Sequence, residues 1–220
     1  IDKNTIMDNN NTITNALKVD KNNSGNGYTL TINNGGSGNG TLYFNSTSGT
    51  IDNAGTILGS IDNQTSSTIK SFNTGSISGS IINNAGATIQ ELNVTGNVAN
   101  GITNNSNIGS LIVNENVSYS GSGSISNALE VAQGDTLTIG GNGTLNFNST
   151  NGTIDNAGTI NGNITNIADS ILTDFTNSGS ISGTFTNKGH IVKFVNESTG
   201  SINNFVNDNT ISFFENKGVI

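Results

Sequence analysis

Isoleucine and phenylalanine punctuate this chain at intervals of about ten residues, with polar residues and glycine between them. In the C-terminal half Ile160, Ile171, Ile181, Ile191, Ile202, Ile211 and Ile220 follow one another at steps of 11, 10, 10, 11, 9 and 9. Phe175, Phe185, Phe194, Phe205 and Phe214 interleave with them. Each is followed two residues later by an asparagine: Asn177, Asn187, Asn196, Asn207 and Asn216. The unit reads F-x-N-x-G-x-I-x-x-F with small adjustments. The N-terminal half carries a degenerate form, with Ile57, Ile77, Val98 and Val117 as one series near 20 residues and Ile69, Ile89 and Ile108 as another. A ten-residue extended stretch with one turn cannot close on itself. Two such half-units can wind round and return one strand spacing, about 4.8 Å, higher. The pattern therefore predicts an all-β fold, a right-handed parallel β-helix (β-solenoid) with about 20 residues per coil. Ile171 should then lie above Ile191 and Ile211, and Ile181 above Ile202. Phe175, Phe194 and Phe214 should form one aromatic column, and Phe185 with Phe205 another. About eleven coils would make a rod on the order of 50 Å long.

A longer repeat sits over the short one. Gly38–Ile61 and Gly141–Ile164 are identical at 20 of 24 positions, at a constant offset of 103. This predicts a single continuous solenoid over residues 1–220, built from two copies of one module at about 1–110 and 111–220. Nothing at the junction reads as a linker. Stretches such as Asp8-Asn9-Asn10-Asn11 and Asn33-Asn34-Gly35-Gly36 read as protruding loops or wider coils.

Composition sharpens this picture. Only 31% of the chain is hydrophobic and 10% charged, against about 45–50% and about 25% in a typical domain. That is too little apolar volume for a conventional two-layer enzyme, but a solenoid stacks like on like and needs less. Of the 220 residues 42 are asparagine and 29 glycine. Glycine reaches φ > 0 without steric cost and asparagine tolerates it, so Asn177, Asn187, Asn196, Asn207 and Asn216 are expected at coil corners. Equivalent asparagines in successive coils can also form amide ladders along the axis. The absence of proline suits strands paired on both sides. The absence of cysteine excludes a disulfide framework, zinc fingers and thiol catalysis. With a net charge of −8 and seven scattered basic residues, no nucleic-acid partner is expected. No apolar run approaches the roughly 20 residues of a membrane helix, so no membrane span is expected within this chain.

Catalytic chemistry finds no constellation. His190, between Gly189 and Ile191, would need a nucleophile and an orienting acid to act as a base; it reads as a surface corner residue. Asp52 and Asp155 recur in I-D-N-A-G, with Asp62 in I-D-N-Q, and their repetition at one structural position points to capping of corners. Gly35-Gly36-Ser37-Gly38-Asn39-Gly40-Thr41-Leu42 resembles the nonapeptide of calcium-binding β-rolls. Gly40 occupies its aspartate position, however, and calcium wants carboxylate oxygens, so a glycine-rich turn is the better reading. No enzymatic activity, cofactor or metal site is expected, and the ligand-binding residues stay unassigned. Three sequons carry an acid two residues upstream (Asp8/Asn10/Thr12, Asp20/Asn22/Ser24 and Glu91/Asn93/Thr95), which resembles the acceptor pattern of bacterial N-glycosylation.

The stretches Ile51-Asp52-Asn53-Ala54-Gly55-Thr56-Ile57-Leu58-Gly59-Ser60-Ile61 and Ile181-Ser182-Gly183-Thr184-Phe185-Thr186-Asn187-Lys188-Gly189-His190-Ile191 resemble passenger repeats of bacterial autotransporters (type V secretion), including adhesins and vacuolating-toxin-like passengers. The resemblance covers most of the chain. It implies a β-helix carried to the bacterial cell surface, or secreted, by an outer-membrane barrel. This sequence holds neither that barrel nor an export signal and ends inside a repeat at Asn216–Ile220, so it reads as a piece of a longer chain. The function implied is a non-enzymatic adhesin or structural stalk acting through its solenoid faces, with host glycans or extracellular proteins as partners. A self-associating surface-layer or filament subunit, binding itself rod to rod or end to end, is the alternative. A polysaccharide-degrading β-helix would require an acidic cluster in one groove, which the sequence does not supply.

Overall fold

The computed structural model describes residues 1–34, 40–140 and 143–220, and all their regular structure is β. Parallel strands stack into a β-solenoid with about 20 residues per turn. One column of strands runs through it: Ala16–Val19, Gly49–Asn53, Thr68–Asn73, Thr88–Val94, Asn107–Val113, Ser124–Val131, Gly152–Asn156, Ile171–Asn177, His190–Asn196 and Thr210–Asn216. On its inner side Leu17, Ile51, Phe72, Leu92, Leu111, Leu129, Ile154, Phe175, Phe194 and Phe214 lie in register, each on the next. The solenoid makes about nine turns, not eleven, and rises about 43 Å at ~4.8 Å per step. About half of the difference lies in two wide turns, from Leu17 to Ile51 and from Leu129 to Ile154. The strand Asn107–Val113 spans the point where the two sequence copies meet.

Inward positions do not simply alternate. In Ile171–Asn177 the buried residues are Leu172, Phe175 and Asn177. Thr173 and Asp174 therefore face outward in succession, and the strand bends at that pair. Val192 and Lys193 do the same between Ile191 and Phe194. This spacing moves one expected stack by a residue. Leu172, not Ile171, pairs with Ile191, while Ile171 pairs with His190 and is only partly buried. The bend fixes the choice, since the inward residue must stand three before the inward phenylalanine, as Ile191 and Ile211 do before Phe194 and Phe214. Ile191 pairs with Ile211, and Ile181 with Ile202.

The aromatic side chains form one cluster. Phe175 and Phe194 stack at 4.4 Å with planes 5° apart, and Phe194 and Phe214 at 4.9 Å and 10°. Phe185 and Phe205 stack at 5.9 Å, and Phe185 also reaches Phe175 at 4.6 Å across the core. Two glycine pairs recur for steric reasons. A Cβ on Gly49 or Gly152 would strike the ring of Phe44 or Phe147, five residues earlier, at 2.3 and 2.2 Å. Gly59 and Gly162 hold φ of 143° and 144° at equivalent corners, a conformation that side chains resist.

The asparagines have a different role from the one their turn preference suggests. Asn177, Asn187, Asn196, Asn207 and Asn216 each end a strand, but Asn10 is the only described asparagine with positive φ. Left-handed corners are mostly glycine. The asparagine side chains point inward instead, and Asn177, Asn187 and Asn196 are fully buried. Asn156 donates to Asn177 Oδ1 at 2.7 Å, Asn177 to Asn196 at 2.8 Å, and Asn196 to Asn216 at 2.8 Å. Asn166, Asn187 and Asn207 form a second ladder, and Asn63, Asn83 and Asn104 a third that ends on Tyr119 Oη. The second N–H of a buried amide reaches a backbone carbonyl beyond the turn, as Asn187 does to Thr210 at 3.2 Å. These ladders pin successive corners together.

Each ladder begins with an unsatisfied oxygen. Asn63, Asn156 and Asn166 have a buried Oδ1 without a hydrogen-bond partner, because the residues paired with them one turn earlier are Phe44, Val131 and Phe147. A donor placed there has a waiting acceptor. Val131→Thr should therefore leave stability within about 1 kcal/mol of the parent, its hydroxyl donating to Asn156. Val113→Thr, flanked in the same column by Val94 and Val131, should lose about 1–3 kcal/mol by burying an unpaired hydroxyl. Urea denaturation of the two variants side by side checks this; equal losses would refute it.

Candidate functional site

With the apolar residues stacked inside, the outer surface is built from asparagine, serine and threonine columns with few charges. Lys18, Asp52, Asn73 and Asn93 follow one another along one such column, and Asn73 is bonded to Asn93 at 3.2 Å. Asp52 and Asp155 lie mid-strand in Gly49–Asn53 and Gly152–Asn156, facing outward. They do not cap corners, because the corner comes two residues later, after the buried Asn53 and Asn156. Asp62 is half-buried in Ser60–Asn63 and accepts at one oxygen from Gln64 Nε2 at 2.8 Å and from Asn84 Nδ2. Burial pushes its carboxyl above the ordinary 3.8, against the opposing effect of those two bonds.

The surface is broken at one place. A second column of inward residues runs Leu30, Ile57, Ile77 and Val98 by successive pairings. It resumes with Val117, Leu137, Ile160, Ile181 and Ile202. Among the described residues no strand pairing joins Val98 to Val117, although their spacing in the sequence continues the series. The coils are paired directly on the adjoining side, where Ile102 meets Tyr119. That coil is short, since Ile102 to Tyr119 is seventeen residues and Leu111 to Leu129 eighteen. The segment Asn97–Gly101 is bonded back to the preceding turn, Ala99 N–H to the Ile77 carbonyl and Asn100 N–H to the Gly79 carbonyl, and is not strand-paired with Val117–Ser118. A groove of about 180 Å³ results, lined by Asn97, Val98, Ala99, Asn116, Val117, Ser118, Thr136 and Thr138.

No charged side chain lines this groove. Val98 and Val117 face the core behind it, at 3% and 4% exposure, and the surface it presents is Ala99 with amides and hydroxyls. Asn116 is oriented, because its Oδ1 accepts the Thr136 backbone N–H at 2.8 Å, which leaves its Nδ2 to donate. A smaller hollow of about 120 Å³ lies on another face, lined by Ile112, Asn114, Glu130, Val131, Ala132, Asp155 and Ala157.

Other sequence candidates fall elsewhere. His190 lies within the strand His190–Asn196, and its Nε2 is 2.7 Å from Ser212 Oγ on the next coil. Among the described residues no group of three or more His, Asp or Glu is placed to hold a metal ion. Most of the glycine-rich stretch Gly35–Leu42 lies outside the described residues, as do Gly141 and Asn142 of its counterpart. Of the sequon asparagines, Asn10 sits in a turn with φ of 64°. The Asn22 oxygen caps its own loop at Ser24 and Asn26. The groove itself leaves no mark in the sequence, because Val117 falls where a paired residue would. No family model matches the chain, and no match was found among curated proteins or solved structures.

Proposed function

We propose that this chain is a non-enzymatic recognition or display module at a bacterial cell surface or in the extracellular medium, acting as an adhesin or structural stalk. The supporting observation is where the near-identical stretches Gly38–Ile61 and Gly141–Ile164 differ. Their four differing pairs within the described residues are Tyr43/Asn146, Ser48/Asn151, Leu58/Asn161 and Ser60/Asn163, and all eight side chains face outward or lie in exposed turns. The core and corner residues of these two stretches repeat unchanged. Stretches that keep their interior and vary their exterior suit a surface that meets partners, and the outward amides and hydroxyls suit neutral ones such as glycans.

The reading is tested with the purified chain by small-angle scattering over a concentration series, with and without calcium, together with saturable binding to cultured host cells. A monodisperse rod of about 43 Å that binds cells supports it. Concentration-dependent growth into longer rods without cell binding would replace it with a self-associating filament subunit.

A further inference from the structure

We infer that the groove between Asn97–Ala99 and Asn116–Ser118 is a subsite for one sugar ring of a neutral saccharide. The inference rests on the recognition function proposed above and names its ligand class. The lining chemistry selects the class. Its lining carries no charge to pair with an anion or a cation, which favours a neutral ligand. Its five polar side chains, Asn97, Asn116, Ser118, Thr136 and Thr138, both donate and accept. A ligand that fits must do the same from several directions without carrying charge, which describes vicinal hydroxyls. At about 180 Å³ the groove is smaller than the roughly 300–1,000 Å³ of drug-sized sites, a scale that fits a single ring. The exposed methyl group of Ala99 at the mouth offers an apolar contact to the C–H surface of a pyranose.

The site is also held open before any ligand arrives. The coils on either side of the break are tied to their outer neighbours, Val98 to Ile77 and Val117 to Leu137, so neither can move to close the gap without breaking its own ladder. The Thr136 amide fixes the Asn116 side chain. A preorganised site of this kind spends little of its binding energy on ordering.

The test is a titration of the isotope-labelled 220-residue chain with the methyl glycosides of glucose, galactose, mannose and N-acetylglucosamine, read from amide chemical shifts. At least one glycoside should give saturable shifts at Asn97, Ala99, Asn116, Ser118 and Thr138. Ala99→Trp, which fills the mouth from an exposed position, should weaken that binding at least tenfold with an unchanged melting temperature. Thr138→Val, also exposed, should weaken it several-fold. Saturable shifts confined to another face and indifferent to Ala99→Trp would overturn the groove assignment and leave the recognition function standing. Absence of glycoside shifts from a chain that still binds cells would do the same, and a chain that binds neither would end both.

Discussion

Phe194→Ala should cost about 3–5 kcal/mol, the largest loss expected from truncating any one ring of the aromatic cluster. Phe194 is fully buried and its ring meets four others: Phe175, Phe214, Phe205 at 4.8 Å and Phe185 at 6.2 Å. Truncation removes the ring's burial and leaves a cavity that a backbone paired on both sides cannot collapse into. Phe214→Ala should cost less, because Phe214 is 48% exposed. In a solenoid each turn touches only its neighbours, so the damage should be local. Hydrogen exchange should accelerate in Ile171–Asn177, His190–Asn196 and Thr210–Asn216 while Ser60–Asn63 and Ile81–Asn83 stay protected. Uniform acceleration through the whole chain would show that the solenoid unfolds as one unit and would sink the local account.

The periodicity that reveals the fold does so because a stacked core forces like residues to recur once per turn. Phe175, Phe194 and Phe214 can be aligned from spacing alone for that reason. What escapes the spacing is anything decided within a turn. Ile171 and Leu172 are adjacent and both apolar, and only the bend at Thr173–Asp174 determines which one enters the core. Asparagine preference suggests left-handed corners, yet the paired positions hold a better signal. Asn156 falls under Val131, and Asn63 and Asn166 fall under Phe44 and Phe147. An apolar residue at an equivalent place in the neighbouring turn marks that place as inward. The groove is illegible for the opposite reason. Val117 keeps the sequence interval from Val98, and the lost pairing comes from the short path to Tyr119, which composition does not register.

Asn177→Leu should destabilise the chain by about 2–5 kcal/mol, although it makes a fully buried residue more apolar. Asn177 accepts from Asn156 and donates to Asn196 Oδ1. Leucine would leave the Asn196 oxygen buried without that donor and deprive the Asn156 amide of its 2.7 Å bond, keeping only the longer one to Ser180 at 3.2 Å. Each stranded group costs about 1–3 kcal/mol, more than the added methyl groups return. The chain itself contains the control. The same column carries Val94, Val113 and Val131 before it carries Asn156, Asn177, Asn196 and Asn216, so the backbone accepts a wholly apolar run. Replacing Asn156, Asn177 and Asn196 together by valine should therefore lose less stability than Asn177→Leu alone, since it also removes the Asn156 oxygen that has no partner. Urea denaturation of both variants decides it. A triple variant weaker than the single one would mean that the bonds from these amides to the carbonyls beyond each turn, and not the continuity of the ladder, hold the corners together.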